Sequence, residues 1–385
     1  MYDILIRNAA LGGSRADIGI EGGRIAALGE SLSGEAGYEF DAAGCVAVPG
    51  LVDAHLHMDK SLLNERAPYV DGTGAEKGAL TRGEKARFTV QDITERAERI
   101  ILRELRSGAV AVRTNVDVDA IVGLKGIEAL LALREKYRGL LDIQVAAFSQ
   151  EGIFADGQTD RLLVQAMEMG ADLVGGHTIT CGEGERHIDY ILELAARFGV
   201  RADFHLDESG NRENYLLPYT ARRIKELGLE GRVNGIHMCT LAALTAEERA
   251  EAMRLIADAG MTATIAPTAI STRHIAPAKE LLSAGVPVAL GSDNIRDFFN
   301  PLGSGDVKQV ALLLSYLQRF FTAEDVDAVW RMVTSGGAAV LGIEDYGIAE
   351  GGRADVTVFD AVSPTEVIAY QAQPALLVRS GAVVR

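Results

Sequence analysis

Eight apolar, strand-like runs punctuate the middle of this chain, and most of them end on a histidine or a carboxylate. In order they are LVDAHLHM, AVAVRTNVDV, LDIQVAAFS, ADLVGGHTI, VRADFHLDE, RVNGIHM, MTATIAP and VPVALGSDN. Between them lie stretches with helical spacing of apolar residues, such as QDITERAERIILRELRSG and RLLVQAMEMG. Strand and helix in alternation call for a parallel sheet, because parallel neighbours can be joined only by long crossovers. Eight runs at similar spacing fit a closed (β/α)8 barrel, although an open doubly wound sheet has much the same local pattern.

The two ends of the chain have a different texture. Residues 1–50 read as short alternating segments separated by glycine turns (YDILIRNA, ADIGIEGGRIAALG, GCVAVPG), the pattern of a small antiparallel sheet. Residues 345–385 repeat that texture in GGRADVTVFD and LLVRSGAVVR, so both termini are expected to meet in one β-sandwich beside a barrel of residues 51–344. A barrel alone takes ~250 residues, and 385 leave room for such a companion.

Composition narrows the function. With 48% hydrophobic residues the chain can bury a large core, and its formal charge of -16, with no basic run, argues against a nucleic-acid partner. No stretch of ~18 apolar residues suggests a membrane span, and MYDILIRNAA lacks the basic start and apolar core of a signal peptide. A cytoplasmic enzyme with no membrane partner is expected, and a homo-oligomer remains open. Three scattered cysteines, Cys45, Cys181 and Cys239, are too few for a disulfide framework and read as reduced.

The chemistry sits where the runs end, which is the face on which barrel enzymes assemble their sites. His55 and His57 close the first run two residues apart, so both point to the same side of a strand. His205 closes the fifth run, His237 the sixth and Asp293 the eighth. Imidazoles with a carboxylate suit one divalent ion such as zinc, iron(II) or manganese. His177 ends the fourth run and faces the same mouth, as a substrate contact or a supporting residue. Glu208, three residues after His205, could move a proton from water to a ring nitrogen, a task suited to a carboxyl whose pKa a dry site has raised. Gln150 offers an amide donor and acceptor side by side, matching the carbonyl and ring nitrogen of a lactam-like heterocycle. His187 and His274 read as surface or hydrogen-bonded histidines, and Arg113 with Asp117 as an internal ion pair anchoring the second run.

The ordered set HLHMDK, VRTNVDVD, AFSQEG, HLDE, GIHM and SDNIRDFFNPLG resembles the cytosine deaminase branch of the amidohydrolase superfamily. HMDKS and SDNIRDF are also similar to the N-isopropylammelide amidohydrolases. The resemblance implies a barrel flanked by a β-sandwich from both termini, and one zinc or iron(II) ion held by His55, His57, His205 and Asp293. It further implies that Glu208 shuttles the proton, Gln150 holds the substrate edge, His237 binds the attacking hydroxide and developing oxyanion, and Asp293 takes a proton during attack. The fourth run has no lysine of the kind that bridges the ions of two-metal relatives. Two positions depart from cytosine deaminases where substrate would be read: Asn294 replaces a second aspartate, and Phe299 a tryptophan. The small heterocyclic substrate could therefore be cytosine, isocytosine, a creatinine-like lactam or an aminotriazine. Every expected ligand position is filled, which disfavours a non-catalytic binding or assembly protein on this scaffold.

Overall fold

The computed structural model describes residues 1–178 and 182–384, so Cys181 lies outside the described residues. The chain begins with β1 (Tyr2–Leu11), β2 (Ser14–Glu21), β3 (Arg24–Gly29) and β4 (Ala36–Asp41), which form one sheet in the order β3-β2-β1-β4. The first three strands are an antiparallel meander, whereas β4 runs parallel to β1, a departure from the expected all-antiparallel sheet. The connection from β3 to β4 crosses the sheet, and only strands joined by tight hairpins are bound to be antiparallel.

The strand β5 (Ala47–Val48) leaves this sheet and leads into eight barrel strands. These are β6 (Leu51–Leu56), β7 (Ala109–Asp117), β8 (Asp142–Ser149), β9 (Leu173–His177), β10 (Arg201–Leu206), β11 (Val233–His237), β12 (Thr262–Ile265) and β13 (Val288–Leu290). They pair in strict chain order, every pair parallel. Sequential order is that of a barrel, since a doubly wound sheet reverses direction at a switch point. Closure is narrow: the Asp293 backbone N–H donates to His55 O at 2.9 Å, bridging the segment that follows the last strand to the first strand. That single bridge ties a candidate ligand from each end of the barrel together.

The crossover helices form for legible reasons. Helix Val90–Ser107 starts at the Thr89 side-chain cap and ends where Gly108 turns left-handed at φ 94°. It buries Ile93, Ala97, Ile100, Ile101 and Leu105, one stripe at helical spacing, against the barrel. At the opposite end of the barrel from the histidines, helix Ser335–Leu341 packs Val340 and Leu341 against Val52, Ala54, Ala111 and Ala289. Arg113 belongs to that end, donating to Gln144 Oε1 and Val340 O and lying 3.5 Å from Asp203. It makes no ion pair with Asp117. Four residues along one strand span ~13 Å, so the two groups face opposite ends of the barrel.

After the barrel the chain adds β14 (Val356–Phe359), β15 (Pro374–Arg379) and β16 (Ala382–Val384), and β5 joins them in a sheet of order β16-β15-β14-β5. Ile4, Ile6, Ile18 and Ile20 from the first sheet share one core with Val356, Val358 and Val378 from the second. Each such side chain contributes about 1.5–3 kcal/mol by leaving water. Among the described residues no helix is long and apolar enough to cross a membrane.

Gly175 on β9 is a tight point in the barrel wall. A Cβ there would sit 2.1 Å from the Asp203 backbone oxygen on β10. Gly175→Ala is expected to cost about 1–3 kcal/mol by forcing two paired strands apart. An unchanged melting temperature would show that the barrel yields at that point.

Candidate metal centre and active site

Six side chains converge at the C-terminal mouth of the barrel because each ends a strand or directly follows one. His55 comes from β6 and His57 directly follows it, His177 comes from β9, His205 from β10, His237 from β11, and Asp293 from the segment after β13. His237 and Asp293 hold left-handed backbone conformations, φ 69° and 58°, which non-glycine residues adopt at a cost. Both turns bring their side chains into one group with His55.

The nitrogens of His55, His57 and His205 form one group whose ligand atoms all lie within 4.8 Å of one another. Asp293 Oδ1 is 3.4 Å from His55 Nε2 and 3.5 Å from His57 Nε2. His57 Nδ1 lies 3.0 Å from Asn115 O, which fixes the tautomer that leaves Nε2 as a lone-pair donor. His55 Nε2, His205 Nε2 and Asp293 Oδ1 are buried polar atoms with no hydrogen-bond partner. Such atoms are costly unless something binds them, and three imidazoles with one carboxylate suit zinc or iron(II). Burial pushes His57 and His205 well below the usual histidine range, so both are neutral, whereas burial of His55 is outweighed by Asp293, which raises it. Burial acts against the charge of Asp293, but His55 and the other nearby imidazoles outweigh it and keep the carboxylate ionised.

His237 is buried just behind, with Nε2 3.9 Å from Glu208 Oε2 and 4.0 Å from Asp293 Oδ2. Both its ring nitrogens lack a hydrogen-bond partner, and burial holds its pKa down at about 4. Glu208 is held from several sides. Its Oε2 is 2.9 Å from His177 Nε2 and 3.0 Å from His205 Nδ1, while Arg273 donates to Oε1. The expected raised pKa is not found. Burial alone would raise it, but Arg273, His237, His177 and His205 together hold Glu208 well below the usual carboxylate range. Glu208 is thus a carboxylate, ready to accept a proton before giving one.

A cleft of about 480 Å³ opens onto these groups and is lined also by Gln150, Asn294 and Phe299. Asn294 Nδ2 donates to Asp297, so its Oδ1 is the acceptor it can offer. His187 is buried away from the cleft with Nδ1 3.2 Å from Glu183, and His274 is exposed. Cys45 and Cys239 are free thiols.

Two residues in the cleft wall, Lys60 and Arg273, escaped the sequence reading. Lys60 stands in the quoted HMDK motif, but nothing in its spacing says where a long side chain will reach; it donates to Asp117 Oδ1 at 2.9 Å and to Gln150 Oε1 at 3.3 Å. Lys85, from helix Gly74–Lys85, takes the other oxygen of Asp117 at 2.8 Å. Arg273 lies in the loop after β12, a segment whose path no periodicity predicts.

Comparison with known proteins places this geometry. The sequence pattern of the amidohydrolase family matches residues 39–385. The N-isopropylammelide isopropyl amidohydrolase of Pseudomonas sp. (strain ADP) is 36% identical, over 100% of this chain and 97% of that protein. Among solved structures, N-isopropylammelide isopropylaminohydrolase from Burkholderia multivorans superposes with a TM-score of 0.92 at 32% identity, covering 100% of this chain and 98% of that one. The 5-methylcytosine deaminase of Klebsiella pneumoniae liganded with phosphonocytosine superposes with a TM-score of 0.93 at 28% identity, covering 99% and 98%. A nearly closed barrel with a histidine-rich mouth, matched along almost its whole length, belongs to the amidohydrolase family.

Proposed function

We propose that this hydrolase removes the amino group of a small nitrogen heterocycle, such as a cytosine-like pyrimidine, as ammonia, with the help of one zinc or iron(II) ion. The observation that carries this reading is Glu208, an ionised carboxylate fixed by His177, His205 and Arg273 at the edge of the buried histidine cluster. A carboxylate so placed can relay a proton between water and a ring nitrogen, which hydrolysis of an aromatic C–N bond requires.

His55, His57, His205 and Asp293 would hold the ion, which supplies a Lewis acid that lowers the pKa of water toward ~7. Glu208 accepts a proton from the attacking water and delivers it to the ring nitrogen beside the attacked carbon. That transfer breaks the aromaticity of the ring and makes the carbon electrophilic. His237 donates toward the oxygen as charge develops on it, and Asp293 takes the second proton. Protonated in its turn, the exocyclic amine leaves, and an oxo group stands in its place. Gln150, Asn294 and Phe299 bind the ring from the cleft wall, while His177 holds Glu208 in position.

A second reading replaces ammonia with an alkylamine. It is favoured by the 36% identity, along the full chain, to an enzyme named for N-isopropylammelide. Both readings are separated by one assay, in which metal-loaded protein meets cytosine, isocytosine, creatinine, ammelide and N-isopropylammelide, and ammonia and isopropylamine are measured. Ammonia from any ring supports deamination, and isopropylamine alone supports the second reading. Release of neither from fully metallated protein would overturn both.

A further inference from the structure

The cleft wall beside the histidine cluster has a fixed hydrogen-bonding polarity. An ammonium group has three donors and no acceptor. Lys60 is almost fully buried, with Asp117 Oδ1 at 2.9 Å on one side and Gln150 at 3.3 Å on the other. Burial works against its charge, but Asp117 and Asp59 outweigh it and keep the group protonated. Asp117 is itself pinned through its second oxygen by Lys85 at 2.8 Å, so the lysine cannot easily swing away.

The amide facing Lys60 must therefore be Oε1 of Gln150; turning it over would set an NH2 group against an ammonium. Gln150 Nε2 makes no hydrogen bond within the described residues, and Gln150 and Lys60 both line the cleft. A free glutamine can offer one donor and one acceptor to a ring, as the sequence reading assumed. This one has its acceptor already committed, and what remains on the wall is the Gln150 amide N–H pair and the third N–H of Lys60.

We infer that Lys60 sets the specificity of the cleft by locking Gln150 as a donor, so that the favoured ring presents two adjacent acceptors to this wall. Such an edge belongs to rings in which a carbonyl lies beside an unprotonated ring nitrogen, as on the O2–N3 side of cytosine or in a deprotonated, N-acidic dioxo heterocycle. A uracil-type edge, with an N–H next to each carbonyl, sets donor against donor there. The inference rests on the heterocycle reading above and narrows the ring.

Binding of two rings that have no amine to lose tests it without turnover. Metal-loaded protein is titrated calorimetrically with cyanurate, at a mildly alkaline pH where cyanuric acid has lost one proton, and with uracil. Cyanurate is expected to bind at least about tenfold tighter, the worth of one charge-assisted hydrogen bond. Lys60→Met should bring the two within about threefold by weakening cyanurate, whereas a merely structural lysine would weaken both alike. Gln150→Glu keeps the partner of Lys60 but removes the amide donor, and it should also cost cyanurate about tenfold; it serves if Lys60→Met does not fold. Equal binding of the two rings, no measurable cyanurate binding, or a preference that survives both substitutions overturns the inference. A cyanurate preference in a protein that releases no amine from any ring would instead sink the hydrolytic reading and leave the polarity of the wall intact.

Discussion

Replacing His55 by Asn is expected to abolish metal binding and hydrolysis together while the barrel remains folded. His55 is fully buried with both ring nitrogens unpartnered, and Nε2 is 3.4 Å from Asp293 Oδ1. Its backbone oxygen, which accepts the bridge from Asp293 N, is untouched by the substitution, so barrel closure is retained. His55 is also the cleanest ligand to test, because His205 additionally supports Glu208 and its loss would confound two effects. A ligand that binds only the folded state stabilises it by about 2.7 kcal/mol at 100 times its Kd. Wild-type protein should therefore lose several degrees of melting temperature on treatment with a chelator, and His55→Asn should lose none. One metal ion per chain in active His55→Asn would remove His55 from the centre.

Much of this arrangement could be read from the sequence, for identifiable reasons. Strand runs in a barrel are apolar and continuous, and their polar residues fall at the ends where the site must be, so HLH, HLD, GIH and GSD announced themselves. What was not legible depends on which groups meet across the fold. The parallel pairing of β1 with β4 is set by a crossover and not by any local pattern. Arg113 found Asp203 and Gln144 on other strands of the barrel, a choice fixed by its height in the barrel. Lys60 and Arg273 act through long side chains carried by a short 3-10 turn and a loop, and their reach follows from where those segments pack.

The sign of the Glu208 shift shows the same limit in energetic form. Burial of a carboxyl is suggested by its place at a strand end, and burial alone predicts a raised pKa. Arg273, sixty-five positions away, reverses that sign by standing against Oε1, and three imidazoles add to it. Sequence spacing contains the first effect and not the second.

Glu208→Gln should separate chemistry from binding. The substitution keeps the shape of the side chain and leaves His55, His57, His205 and Asp293 in place, so metal content is expected to be unchanged. It removes the group that can accept a proton, and a positioned acid-base residue is worth about 10²–10⁴-fold in rate. The fall should appear in kcat, with KM changed little, because the Gln150 side of the cleft is not involved. An amide at this position can still donate to or accept from His177 and His205, so those rings need not collapse into the cleft. Wild-type turnover in Glu208→Gln would mean that another group moves the proton. Of the groups around the cluster, His237 would then be the one to test, since it lies 3.9 Å from Glu208 and 4.0 Å from Asp293 with neither ring nitrogen engaged.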